Sequence, residues 1–120
     1  MSRKVVIKKQ EDKFQWSQTE DSLTFYLPLK NVLLKNIDVL ITRDFIKVNA
    51  PSIRYICVID LASTIDYEHP SSKVTLLDER LEIVVFKPQT YHRLWESVIV
   101  QGLSKDEIRL RREASLAQYY

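Results

Sequence analysis

The chain has 120 residues, of which 45% are apolar and 28% charged, with a net charge of +2. That length fits one domain around one core, the apolar share argues against wholesale disorder, and so mild a charge does not by itself point to nucleic acid. A single cysteine, Cys57, excludes an intramolecular disulfide and suits a reducing compartment.

Residues 1–13 carry Arg3, Lys4, Lys8, Lys9 and Lys13 around Val5-Val6-Ile7. This apolar knot is too short for a signal-peptide core of about 7–15 residues. No later run approaches the ~18 apolar residues of a membrane span. The expectation is a soluble intracellular protein whose first 13 residues form a basic, solvated tail or a frayed extra strand.

From Phe14 the pattern has period two, as a half-buried strand requires. Phe14–Gln18 alternates, Thr19-Glu20-Asp21 turns, and Ser22–Leu29 alternates again. Leu23, Phe25, Leu27 and Leu29 share one face, with Thr24, Tyr26 and Pro28 on the other. Pro28 has no N–H to give to a ladder, so its end of the strand belongs at an edge or bulge. Lys30–Asn36 connects to a further strand, Ile37–Thr42. Arg43-Asp44 turns, and Phe45–Asn49 follows with Ile46 and Val48 inside and Phe45, Lys47 and Asn49 outside. Tyr55–Leu61 is almost continuously apolar and reads as a central strand covered on both sides. After a long loop, Ala62–Ser72, the stretch Lys73–Lys87 forms two strands around an Asp78-Glu79 turn. Val74 and Leu76 share a face in the first, Leu81, Ile83 and Val85 in the second, and Glu82 points the other way. With one glycine, Gly102, the turns fall to Asn31, Asn36, Asp44, Pro70 and Asp78.

Beyond Lys87-Pro88, Tyr91–Trp95 reads as a helical turn and Glu96–Gln101 as a last short strand or extended segment. Ser104-Lys105-Asp106-Glu107 matches a capping box, which predicts a helix from about Lys105 to Gln118. Its apolar stripe is broken, and Arg109, Arg111 and Arg112 share a basic side. Such a helix buries little by itself, so it reads as the start of a segment continuing in a longer parent protein. Trp16 and Trp95 are expected to pack over sheet ends, each burying ~150–250 Å²; the alternative is that one is an interface anchor.

The residues offer little chemistry. His69, His92 and Cys57 fall at no zinc-site spacing, and one glycine cannot build a phosphate loop. Cys57 lies in an apolar strand and no GxSxG turn exists. The carboxylates gather at turns and outer faces. No catalytic, metal or cofactor residue emerges, and the chain does not read as an enzyme. An RNA-binding sheet needs interleaved aromatic and basic residues; Tyr26, Phe45, Lys47 and Arg80 come nearest, without a recognisable motif. What remains is surface for a protein partner on the outward sheet face, with Tyr26, Leu40, Phe45, Val84 and Phe86 among its residues and Arg80 and Glu82 beside them.

The ordered series FQWSQT, LTFYLPLK, KNIDVLITRDFIKVNAP, PSSKVTLLDERLEIVVFKP and Trp95 resembles a CS domain, the fold named for CHORD-containing and SGT proteins and shared with the small co-chaperone of heat shock protein 90. Within that family, LPLKNV, DFIKVNAP, SSKVTLL and WESVIVQGLSKDEIRLRREASLAQ are most similar to the N-terminal domain of an axonemal dynein assembly factor family, that of the dyslexia-susceptibility candidate. The resemblance covers about 14–100. It implies a seven-stranded antiparallel β-sandwich, here followed by a C-terminal α-helix, without enzymatic activity or cofactors. By that reading 1–13 is a basic tail, 14–103 the CS domain and 104–120 a helix leading on. SGT-type members hold a chaperone on an exposed sheet face, which by matching position implies Arg80 and Glu82, with Tyr26 on the adjoining strand. The implied partners are chaperones of the heat shock protein 90 or 70 type, or dynein assembly factors, with no nucleic acid and no membrane. The implied setting is cytoplasmic, with the nucleus or cilium as alternatives. The competing functions are a general co-chaperone domain, a nucleic-acid-binding β module and a lipid- or ligand-binding sandwich.

Overall fold

The computed structural model describes residues 4–10 and 14–119. Two antiparallel sheets face one another. Sheet A contains β1 (Lys4–Gln10), β2 (Gln15–Thr19), β3 (Ser22–Pro28), β7 (Lys73–Leu76) and β8 (Arg80–Phe86), in the order β1-β2-β3-β8-β7. Sheet B contains β4 (Asp38–Ile41), β5 (Phe45–Ala50) and β6 (Tyr55–Asp60) in chain order. Strands β2 to β8 are the expected seven, and a C-terminal helix, α1 (Lys105–Tyr119), comes after them. Residues 4–10 of the expected tail are an eighth strand paired with β2, irregular between Val5 and Lys9. Residues 1–3, 11–13 and 120 lie outside the described residues.

Alternation places the core. Leu23, Phe25 and Leu27 of β3 and Leu81, Ile83 and Val85 of β8 are fully buried against Ile46, Val48 and Ile59 of sheet B. Phe14 meets Phe25 edge-on, with ring centroids 5.7 Å apart. The pairing of β2 with β3 stops at Tyr26, so Pro28 lies beyond the end of β2 and has a strand neighbour only in β8. Leu77 N–H donates to the Arg80 carbonyl at 2.8 Å and closes the hairpin over Asp78 and Glu79. Asn31 takes the left-handed conformation its side chain tolerates, and Arg54 takes it too, at the end of a short helical turn.

Three local expectations are corrected. Strand β6 is not a central strand covered on both sides: it is the edge of sheet B, with Ile56 50% exposed. Its inward residues Cys57 and Ile59 are buried, and its run looks continuous only because the outward Ile56 and Val58 are also apolar. Phe45 is not outside but buried, apart from the main core cluster. It lies opposite Asp60, whose carboxylate meets α1, so the helix end of the outer face of sheet B is covered. Tyr91–Trp95 forms no helical turn; one tight turn, Tyr91 N–H to the Pro88 carbonyl, precedes an irregular run.

That run is held outside regular structure by side chains that take its backbone groups. Gln18 Oε1 accepts from Trp95 N–H at 2.8 Å, and Gln18 Nε2 donates to the Trp95 carbonyl at 2.9 Å. Lys87, 1% exposed, donates from Nζ to Gln18 Oε1 at 2.9 Å, to the Thr19 carbonyl at 2.7 Å and to the Arg93 carbonyl. All three ammonium hydrogens are thereby used. Further on, Val98 enters the core, and hydrogen bonds between Ala62 and Val98 and between Val100 and Asp60 tie the segment to the end of β6. Trp16 and Trp95 are 1% and 6% exposed, and neither indole N–H has a hydrogen-bond partner, so they act through buried area.

Trp95→Ala is therefore expected to cost roughly 3–5 kcal/mol of stability, as other buried aromatic truncations do; an unchanged denaturation midpoint would contradict the burial. Desolvation pulls the Lys87 ammonium down from 10.5 to about 8, against the opposing pull of Asp21 and Glu20. Between those two values the unfolded chain binds the proton and the folded one does not, so stability rises with pH across that window. The rise should vanish in Lys87→Met, as followed by urea unfolding at a series of pH values.

Candidate protein interface

The pairing of β3 with β8 sets Tyr26 opposite Glu82 and Pro28 opposite Arg80. On either side, Gln15 of β2 lies opposite Tyr26 and Thr75 of β7 opposite Glu82. A row of Gln15, Tyr26, Glu82 and Thr75 therefore crosses the outer face of sheet A. Of the three residues singled out from the sequence, Tyr26 and Glu82 are neighbours in this row, and Arg80, two positions before Glu82 on β8 and opposite Pro28, stands beside it. Opposed cross-strand residues have Cβ atoms about 4.5–5.5 Å apart, so the row is set by the ladder and not by flexible side chains.

The Arg80 guanidinium carbon lies 4.2 Å from the centre of the Tyr26 ring, within the range of a cation–π contact. Burial raises the Tyr26 phenol above its usual value, Glu82 adds to the rise, and Arg80 opposes it. No carboxylate among the described residues forms an ion pair with Arg80; the nearby pair is Lys30 with Glu79, at 3.6 Å and largely exposed. Arg80 therefore rests over an aromatic ring with no side-chain hydrogen bond to another described residue.

Beside it runs a groove of about 290 Å³ lined by Phe14, Gln15, Tyr26, Pro28, Glu79 and Arg80. Its surfaces are an aromatic ring, a proline, a guanidinium and a carboxylate. These can take an apolar side chain and one charge of either sign, which is the chemistry of a polypeptide contact. Farther along the same face, His69 stacks on Phe86 with centroids 4.1 Å apart, and His69 Nδ1 accepts from Ser71 N–H. Val84 is half-buried here, while Leu40 and Phe45 belong to sheet B and are not part of this surface.

Sequence reasoning missed Gln18 and Lys87, which set the far end of the sandwich. A signal for them exists. Gln18 continues the inward series Phe14 and Trp16, and Lys87 continues Leu81, Ile83 and Val85. Two polar residues at inward positions of neighbouring strands need each other. Among the described residues no cluster of His, Cys, Asp and Glu is placed to hold a metal ion, and no helix is long and apolar enough to cross a membrane.

Comparison with known proteins places this arrangement. The model of the CS domain family matches residues 12–87. Dynein axonemal assembly factor 4 of Pongo pygmaeus is 30% identical over 105 residues, which are 88% of this chain and 24% of that protein. The protein of the same name from Rattus norvegicus matches with the same identity and coverage. The chain thus spans about a quarter of the length of the curated relatives it matches. Among solved structures, the CS domain of human KIAA1068 protein superposes with a TM-score of 0.61 at 20% identity, over 81% of this chain and 79% of that one. The nuclear movement protein from E. cuniculi GB-M1 superposes with a TM-score of 0.59 at 18% identity, over 73% and 99%. At those identities the structures establish the fold alone. From the sequence match and the sandwich together, this chain belongs to the CS domain family.

Proposed function

We propose that this chain is a non-catalytic interaction module of a protein that assists chaperones in assembling axonemal dynein in the cytoplasm. The unit that does so is 14–103, with the helix of 104–120 carried on it. The module holds a protein partner on the outer face of sheet A, around Tyr26, Arg80 and Glu82. The observation that carries the reading is the meeting of these side chains on adjoining strands, Tyr26 opposite Glu82 and under Arg80, beside a groove that has room for one more side chain. The name of the relatives, dynein axonemal assembly factor 4, supports the setting. The partner classes are chaperones of the heat shock protein 90 or 70 type and other dynein assembly factors.

A reversal of charge on the row tests the face. In a pull-down from ciliated-cell extract, Arg80→Glu with Glu82→Arg is expected to lose at least one chaperone or assembly factor that the wild type retains. Equal recovery of every partner would reject this face. Stability provides the control. Arg80 is exposed and its one contact is a surface cation–π pair, so Arg80→Ala should cost about 1 kcal/mol or less. Equal thermal unfolding of Arg80→Ala and wild type, within a few degrees, would separate lost binding from lost folding.

A further inference from the structure

We propose that α1 is a releasable strap, held on the outer face of sheet B by a polar lock and able to lift while the sandwich stays folded. The lock has three parts. Ser115, fully buried, accepts from Asp44 N–H at 3.0 Å and donates to Thr42 Oγ1 at 2.9 Å. Arg112 grips the Asp60 carboxylate with two hydrogen bonds, at 2.8 and 2.6 Å. Arg111 donates to the Leu61 carbonyl and to that of Asp44, and its guanidinium is 3.8 Å from the Asp44 carboxylate. At the far end, Tyr67 Oη donates to the Gln118 carbonyl.

Apolar packing contributes little to this seat. Ser115 is the one fully buried residue of the helix, and Leu110 is 56% exposed. The helix has its own stabilisers: the Ser104–Glu107 capping box and the Arg109–Glu113 pair are both within the helix or its cap. Arg109 thus serves α1 itself, and the basic side divides, with Arg111 and Arg112 turned to the sheet. Most of what α1 loses on lifting is directional, charged and partly exposed to water, and so sensitive to salt. What it uncovers is Phe45, on a face that also bears Leu40, Val58 and Ile56.

The sandwich keeps its own closure without α1. Trp95 and Val98 fill the core before the helix begins, and β6 is tied to residues 98–100. The strap and the core therefore form separate opening units, as cooperative segments of differing stability do.

Amide hydrogen exchange on the full chain tests the separation. In the wild type, α1 amides should exchange at least about tenfold faster than those of β3 and β8. Asp60→Asn, which keeps the shape and removes the charge, should speed α1 by about another tenfold and leave β3 and β8 unchanged. Raising salt should speed α1 in the wild type and do less in Asp60→Asn. Ser115→Ala should release α1 without touching the ion pair, which keeps the test open if an Asp60 variant folds poorly. Exchange of α1 in step with β3 and β8, or equal acceleration of helix and core in both variants, would overturn the proposal.

Discussion

A buried lysine closes this sandwich. Lys87 stands where β8 leaves the sheet, at a position whose predecessors Leu81, Ile83 and Val85 are all in the core. An ammonium there without partners would cost several kcal/mol of desolvation. It is accommodated because three oxygens from two different segments converge on it, from Gln18 and Thr19 of β2 and from Arg93. Gln18 then spends its remaining capacity on both backbone groups of Trp95. One charge thus fixes the end of β2, the exit of β8 and the return of the chain towards sheet B. The indole of Trp95 fills the space this return creates, 5.9 Å from the charge. Burial still lowers the ammonium's proton affinity, so the knot serves position more than stability.

The two outer faces carry different duties because the chain leaves that knot on the side of sheet B. Residues 96–100 run along the end of β6, and α1 is led onto sheet B, where Asp44, Asp60 and Thr42 receive it. Among the described residues sheet A keeps its outer face open around Tyr26 and Arg80, while His69 stacks on Phe86 farther along. The ladder there is the most extensive in the molecule, with seven paired positions between β3 and β8. Side chains set on such a ladder are held by backbone geometry. That rigidity suits a contact surface, because little backbone entropy remains to be lost on binding.

Much of this was legible in the sequence, and where legibility failed the causes are physical. Period two located β2 to β5, β7 and β8, because each buries one face, while β6 was found as a continuous apolar run. Tyr26 and Glu82 could be assigned outward faces from parity alone, but their direct opposition depends on register, which parity does not specify. Ser104 and Glu107 announced the helix cap, since capping is a local exchange of hydrogen bonds. Phe45 was misjudged because a helix whose own stripe is weak, far along the chain, docks on its neighbours Asp44 and Asp60. Strand β6 looked central because apolar residues on an exposed edge are indistinguishable from buried ones in a single sequence. Tyr91–Trp95 has helical composition, yet a distant glutamine claims the backbone of Trp95, and tertiary contacts override local preference.

The same contrast explains why the chain holds charge in three different ways. Lys87 is charged and enclosed, with every donor used, and it can bind nothing further. Arg112 is charged and half-exposed, engaged by Asp60 in a pair that water and salt can reach. Arg80 is charged and exposed, supported by a ring but without a described carboxylate in reach. Structural fixation, reversible attachment and availability to a partner thus depend on one physical variable, the extent to which each cation's donors are already satisfied. Of these three cations Arg80 has most left to offer, and its place on the Tyr26 ring, beside Glu82, supports the proposal that this face, and not the strapped one, receives another protein.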